Sequence, residues 1–458
     1  MKSEARLNVT IIGTGYVGLT TGLALAYLGH RVNCVDKNEK IIRKLQAGTP
    51  TIYEPGLQEL LAESFENVFF SDSLAVSIHT AEIVIIAVGT PAKNNGDTDL
   101  SYVEAAAREI GRLMLPDKPL VVVNKSTVPI GSARRVETVI LEELEKRGVR
   151  GDFSVASNPE FLREGAALHD TFYPDRIVVG SDDLRAANLL RQLYAPILEQ
   201  AFTPPKAVPR PEGFPLPALV TTRPTSAELI KYAANAFLAT KISFINEFAR
   251  ISEKVGADIR EVARGIGLDK RIGAGFLQAG VGWGGSCFPK DTQSILFTAR
   301  QYGQDMPLLN AAVEVNIQQR KKMIEKLQEA LKVIRGSTIG ILGLSFKANT
   351  DDIRESAAID VIEALLEMGA RVKAFDPVAA EQYRLSFPEQ EIIYAASVAE
   401  AARDADALLL LTDWEEFVRQ PWKQIGETMR RQIFIDGRNL LEGGEMCRWG
   451  YTYLGIGC

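Results

Sequence analysis

Short, unbroken apolar runs alternate with amphipathic stretches along most of this chain. Residues 7–12 are a β-branched run of strand character, and a second follows at 31–35. Between them, residues 19–28 are apolar at a density that predicts a buried helix. Further strand-like runs come at 83–88, 120–124 and 153–157, each leading into a polar or proline-containing loop. Continuously apolar strands alternating with helices predict a parallel sheet covered on both faces.

The turn after the first strand reads Gly13-Thr14-Gly15-Tyr16-Val17-Gly18, and Asp36 closes the second strand. A Gly-x-Gly-x-x-Gly that follows a strand, opens a helix and has an acid about twenty residues on is a dinucleotide fingerprint. The glycines let backbone N–H groups and a helix N-terminus approach a pyrophosphate. Asp36 can accept from a ribose 2′-hydroxyl, which favours NAD over NADP, with Lys37 beside it. Ligands of such sheets sit beyond the carboxyl ends of the strands. The loops at 89–91, 125–129 and 158–165, with Thr90, Thr127, Glu160 and Glu164, are therefore expected to face the nicotinamide half.

The pattern breaks at 201–224, which holds seven prolines: Pro204, Pro205, Pro209, Pro211, Pro215, Pro217 and Pro224. Proline fixes φ and lacks an N–H, so an extended or mobile surface segment without regular elements is expected, marking a domain boundary. Residues 225–255 then read as one continuous helix, with Ser226 placed to cap it and Gly256 to close it. Its length and apolar stripe predict a spine between domains and a dimer contact. Lys231 and Asn235, four apart, share a face with apolar neighbours, so that face is expected to be covered. A second long helix fits 308–334.

Strand character returns at 337–342, then a helix at 357–368, a strand ending at Asp376, and runs at 407–411 and 432–435. Arg371-Val-Lys-Ala-Phe-Asp376 echoes Arg31-Val-Asn-Cys-Val-Asp36, so a second, smaller Rossmann-like sheet is expected. It lacks the full glycine fingerprint, and no second dinucleotide is expected there. The expected division is a dinucleotide-binding domain over 1–203, a linker over 204–224, a central helical domain over 225–334 and a last domain over 335–458.

Composition narrows the class. The 458 residues are 46% hydrophobic and 24% charged, ordinary for a soluble enzyme of two or three domains. A net charge of −6 gives no global attraction to nucleic acid or anionic membrane. No apolar run approaches the ~20 residues that span a bilayer. Met1–Arg6 is polar and runs straight into the first strand, so no signal peptide is expected, and the cytoplasm is the expected compartment. Four cysteines at irregular distances make neither a disulfide framework nor a metal site. His30, His79 and His169 fall in no motif, which argues against zinc and against histidine-based hydride chemistry.

One cysteine stands apart. Gly280-Val-Gly-Trp-Gly-Gly-Ser-Cys287-Phe-Pro-Lys290-Asp291 sets a thiol in a glycine-rich loop with a cation and a carboxylate close in sequence. A nearby cation raises the thiolate fraction, and a thiolate is suited to covalent catalysis at a carbonyl. Lys347, Arg354 and Arg438 are loop cations suited to a phosphorylated substrate.

These motifs together resemble the nucleotide-sugar dehydrogenases of the UDP-glucose/GDP-mannose dehydrogenase family. The resemblance runs nearly end to end, from Ile11-Ile-Gly-Thr-Gly-Tyr-Val-Gly18 to Ile435-Asp-Gly-Arg-Asn439, with Glu228-Leu-Ile-Lys-Tyr-Ala-Ala-Asn-Ala-Phe-Leu238 upstream of the cysteine loop. It implies an NAD-binding Rossmann domain, a long central helix that forms the dimer, and a UDP-sugar-binding domain. It also implies a double oxidation of a sugar C6 alcohol to a carboxylate through a cysteine thiohemiacetal and thioester.

By that resemblance Cys287 is the nucleophile, and Lys231 and Asn235 stabilise oxyanion charge. Asp291 and Thr127 orient water or move protons, and Glu160 is the acid of the hydrolysis step. Gly13, Gly15, Tyr16, Val17, Gly18, Asp36, Lys37, Thr90, Thr127, Glu164, Lys290 and Arg354 are implied at the cofactor. Glu160, Phe161, Leu162, Arg163, Glu164, Lys231, Asn235, Phe276, Leu277, Gly284, Phe288, Lys347 and Arg438 are implied at the substrate, and Arg271 at the substrate of a neighbouring subunit. The phrase Gly275-Phe-Leu-Gln-Ala-Gly-Val-Gly-Trp-Gly284 leans towards the UDP-glucose branch, with GDP-mannose as the sibling alternative. Branches acting on UDP-N-acetylhexosamines carry a histidine where Ser286 stands here. A non-catalytic NAD-binding scaffold is the reading from another class, and Cys287, Lys231, Asn235 and Asp291 occurring together speak against it.

Overall fold

A computed structural model describes residues 6–93 and 95–458. Most of the polar N-terminal stretch on which the absence of a signal peptide was argued therefore lies outside the described residues. By internal contacts the chain forms two compact units, residues 1–233 with 293–302, and residues 234–292 with 303–458. The split between these units falls inside the long helix.

The first unit is built on an eight-stranded sheet. Its strands are β1 (Asn8–Ile12), β2 (Arg31–Val35), β3 (Val68–Ser71), β4 (Ile83–Ile86), β5 (Leu120–Asn124), β6 (Phe153–Ser157), β7 (Arg176–Gly180) and β8 (Ala218–Thr222). The order is β3-β2-β1-β4-β5-β6-β7-β8. Neighbours are parallel except at β6–β7, where a single antiparallel pairing joins Ser157 to Gly180. The apolar runs are continuous because both faces are buried: Ile83, Ile85, Val121 and Val123 enter one core, and Val84, Ile86 and Val122 enter the other. The order reverses between β1 and β4, where such sheets leave a crevice for ligand.

The proline-rich stretch departs from expectation. Its prolines crowd into 204–217, and the proline-free residues that follow form β8 in parallel register with β7. Val208 is buried in the first core, and its carbonyl accepts the Tyr173 hydroxyl at 3.0 Å. The segment is thus packed and contributes an edge strand. The long helix spans Pro224–Val255. Proline is at ease in a first turn, where its missing N–H has no partner to lose. Ser226 consequently lies within that turn and not at the cap, while Gly256 closes the helix at φ +74°.

The second unit carries a six-stranded, all-parallel sheet in the order β11-β10-β9-β12-β13-β14. Its strands are β9 (Thr338–Leu342), β10 (Arg371–Phe375), β11 (Ile392–Tyr394), β12 (Ala407–Leu410), β13 (Ile433–Asp436) and β14 (Thr452–Leu454). Ile339, Ile341, Leu409 and Ile435 fill one face, and Leu408, Leu410 and Phe434 the other. Asp376, the counterpart of Asp36, has one oxygen taken by Leu344 N, Ser345 N, Ser345 Oγ and Trp414 Nε1 and the other by Val378 N and Ala379 N. It pins its own turn. Helix Pro307–Leu331 also belongs to this unit. Among the described residues no helix is long and apolar enough to cross a membrane.

Candidate active site

In the first unit, β1 runs into Gly13, which takes φ +101°; a Cβ there would sit 2.5 Å from the Ala87 carbonyl oxygen. Only glycine fits this turn between β1 and β4. Gly15 precedes helix Tyr16–Tyr27, and no atom lies within 4 Å of where its Cβ would be. A helix N-terminus opening onto free space suits a pyrophosphate. One Asp36 oxygen accepts from Thr14 N at 2.9 Å and Thr14 Oγ1 at 2.8 Å, and the other from Asn38 N at 3.0 Å. The carboxylate is fixed beside the glycine turn with acceptor capacity left over. These residues fit NAD. Lys37 is exposed and 3.8 Å from Glu109, the Tyr16 hydroxyl donates to the Tyr53 carbonyl, and Thr90 Oγ1 donates to the Thr127 carbonyl at 2.9 Å.

Beyond β6, the Lys231 ammonium meets Glu160 Oε1 at 2.9 Å, with side chains 4% and 5% exposed. Glu160 Oε2 accepts from Leu162 N at 2.5 Å. Burial alone would raise the Glu160 carboxyl, but the Lys231 charge and hydrogen bond, the Leu162 amide and the Lys125 charge together hold it below its ordinary range. Phe161 is sandwiched by charge, with the Arg176 guanidinium 3.8 Å and the Lys231 ammonium 5.4 Å from its ring centre. Arg163 turns to Asp170, donating from its backbone N, Nε and Nη2. Glu164 sits in the turn before helix Ala167–Phe172, and Glu54 accepts from Gly165 N and Ala167 N at 2.6 Å each to fix that turn.

In the second unit, Cys287 immediately precedes helix Phe288–Gln301, and Asp291 N donates to its carbonyl at 2.8 Å. The thiol stands at a helix N-terminus, where unpaired N–H groups favour an anion. Lys290 and Asp291, the cation and carboxylate that follow the cysteine in sequence, are paired with each other. The Lys290 ammonium donates to Asp291 Oδ1 at 2.7 Å. Asp291 Oδ2 accepts Asn235 Nδ2 at 2.6 Å, and the carboxylate is 1% exposed. Lys231 and Asn235 are both buried, one turn apart on one unbroken helix.

The cysteine loop is held along its length. Asn246 Oδ1 accepts Gly280 N at 2.9 Å, and Val281 N donates to the Gly437 carbonyl at 2.7 Å. Asn316 grips both backbone groups of one residue, Oδ1 accepting Trp283 N at 2.7 Å and Nδ2 donating to the Trp283 carbonyl at 2.9 Å. The Trp283 indole donates to Ser243 Oγ at 3.1 Å. A side chain at Gly284 would overlap the Glu355 carbonyl, and Gly285 N donates to the Arg354 carbonyl at 3.0 Å. Arg438 is half-buried, donating to the carbonyls of Leu411 and Phe346 at 2.8 Å each and of Gly282 at 3.3 Å. Phe276 adopts φ +65°, rare for an aromatic residue, with its ring 6.3 Å from Phe288. Leu277 is buried beside it.

The remaining candidates are more exposed. Lys347 lies 5.7 Å from the Phe346 ring centre, and the Arg354 side chain chelates Asp352. Arg271 is 89% exposed and paired with Asp269 two residues before it. The sequence reading missed Asn316, Asn246, Glu54 and Asn158. Asn246 and Asn316 lie within long helices, Glu54 in a loop without a motif, and Asn158 at the start of a recognised loop; a buried polar side chain announces itself only when its partners are known.

Residues 7–198 match the NAD binding domain of the UDP-glucose/GDP-mannose dehydrogenase family, residues 225–318 its central domain, and residues 340–443 its UDP binding domain. The chain is 45% identical over 458 aligned residues to a UDP-glucose 6-dehydrogenase of Rhizobium meliloti, covering 98% of this chain and 99% of the relative. It is 44% identical over 451 residues to one of Bacillus subtilis, covering 98% and 93%. A solved UDP-glucose dehydrogenase from Pyrobaculum islandicum superposes with a TM-score of 0.88 at 37% identity, covering 100% of this chain and 99% of that one.

Proposed function

The chain belongs to the UDP-glucose/GDP-mannose dehydrogenase family, and we propose that it oxidises the C6 alcohol of UDP-glucose to a carboxylate through a thioester on Cys287. NAD, held by the Gly13–Gly18 turn and Asp36, supplies the hydride acceptor for both oxidations. The sum consumes one UDP-glucose, two NAD⁺ and one water, and releases UDP-glucuronate, two NADH and protons.

The observation that carries the reading is the arrangement around Cys287. Its thiol sits at a helix N-terminus, and Asp291 in the same first turn is gripped by Asn235 and Lys290. Addition of the thiolate to the C6 aldehyde gives a thiohemiacetal, and its oxidation gives the thioester. Keeping the aldehyde covalent lets one site oxidise twice without releasing it. Asn235 and Lys231 are the donors available to developing oxyanion charge. Asp291 and Thr127 are assigned to proton movement, and Glu160, kept ionised by Lys231, to activation of the hydrolytic water. Phe276, Phe288, Lys347 and Arg438 are assigned to the nucleotide sugar, and Arg271, exposed on this chain, to the site of a second subunit.

Leu229, Phe237, Phe244, Phe248, Ile251 and Val255 leave large apolar side chains exposed along the long helix. Phe237, Phe244 and Ile251 recur every seven residues, as do Phe248 and Val255, so they line one stripe. We assign that stripe to a homodimer contact, and the enzyme to the cytoplasm.

Rapid quenching with UDP-glucose and NAD tests the chemistry. The peptide carrying Cys287 is expected to gain the mass of the UDP-glucuronoyl group, and the Cys287→Ser variant to bind both ligands without steady-state turnover. Wild-type turnover by that variant overturns the covalent scheme.

A further inference from the structure

Lys125 follows β5 directly and is only 8% exposed. A buried ammonium is costly unless an anion or several acceptors meet it. Here Nζ donates to Asn158 Oδ1 at 3.1 Å and stands 5.8 Å from the Tyr194 ring centre. The Tyr194 hydroxyl donates to the same oxygen at 2.6 Å, and Asn158 Nδ2 is committed to the Val178 carbonyl at 2.8 Å, so the amide cannot turn away. Among the described residues no carboxylate is paired with Lys125. The charges that act on it, through space, are Glu160 and Lys231.

We propose that Lys125 is a positioning residue for the Lys231–Glu160 pair: a third charge, locked in place by Asn158, that sets the pH window in which the pair works. The inference rests on that pair acting in the reaction. Burial first, with Lys231 adding to it and Glu160 opposing, pulls Lys125 down to about 8. Tyr194 is pushed up by its own burial and stays neutral. When charged, Lys125 favours the ionised form of Glu160 and disfavours charge on Lys231. Both effects lower the pH at which each group gives up its proton. Taking the charge away moves both upward.

The pH profile of kcat separates this from packing. In Lys125→Gln the acid limb, where Glu160 takes up its proton and Lys125 is fully charged, is expected to move to higher pH by on the order of one unit, while Lys125→Arg, which keeps the charge, leaves that limb where it is. A glutamine variant whose profile falls at every pH with an unmoved acid limb overturns the proposal. Should the variants fold poorly, NMR of wild-type enzyme carrying ¹⁵N at lysine Nζ titrates Lys125 directly. A midpoint near 8 supports the proposal, and one near the ordinary ~10.4 overturns it. A Glu160→Gln enzyme with normal turnover would instead overturn the role given to the pair, while leaving the Lys125 midpoint to be judged by itself.

Discussion

The Lys231 ammonium lies 2.9 Å from the Glu160 carboxylate, with both side chains all but sealed from solvent. A buried pair of this kind is costly to break, because the survivor keeps an uncompensated charge.

Glu160→Gln is therefore expected to lose ~3–5 kcal/mol of stability and to stall after oxidation, accumulating acyl-enzyme. The sign of the pH effect follows from the depressed Glu160 carboxyl. Stability from the pair is fully present above the unfolded value of ~4.3 and is lost as pH falls through the lower folded value. Thermal midpoints between pH 6 and 3 should fall for wild type and stay flatter for Glu160→Gln. Parallel curves would show that the pair contributes no pH-linked stability.

Asn316 holds both the N–H and the carbonyl of Trp283, four residues before Cys287. Asn316→Ala should lower kcat by ~10–100-fold through misplacement of the loop, with NAD affinity unchanged by titration calorimetry. A change in NAD affinity with kcat intact would assign Asn316 elsewhere.

Much of this was legible in the sequence, and the reasons differ by element. The strands at β1, β4 and β5 announced themselves because both faces are buried, which leaves no polar interruption. The Gly13–Gly18 turn was legible because its backbone demands a residue type. β8 was hidden by the prolines on either side of it, although six consecutive proline-free residues are enough for an edge strand. Within the cysteine loop the charges of Lys290 and Asp291 were readable beside the thiol, and the Asn235 amide that meets Asp291 from the long helix was not readable as its partner. Lys125 stood inside a recognised loop, yet nothing in Lys-Ser-Thr says that the lysine is buried.

Asp36 should matter to the cofactor more than to the sugar. Asp36→Ala is expected to raise the KM for NAD by ~10-fold or more, the scale of a hydrogen bond to a charged group. Circular dichroism should be preserved, and the KM for UDP-glucose should change little. An unchanged KM for NAD would remove Asp36 from the cofactor site.

The exposed stripe on the long helix predicts an assembly. Phe248→Asp with Ile251→Asp places two charges among Phe244, Phe248 and Ile251, which are all exposed in the single chain. Sedimentation velocity is expected to show a dimer for the parent and a shift to monomer for the double variant. An unshifted boundary would place the contact on another face.

The most direct test of the central claim is the NADH formed per UDP-glucose consumed, with GDP-mannose run in parallel. Two NADH per UDP-glucose, with little from GDP-mannose, is the result expected of a chain that oxidises the same carbon twice, the second time as a thiohemiacetal on Cys287. One NADH per sugar would contradict it, since the thioester and its hydrolysis would then have no place in the cycle.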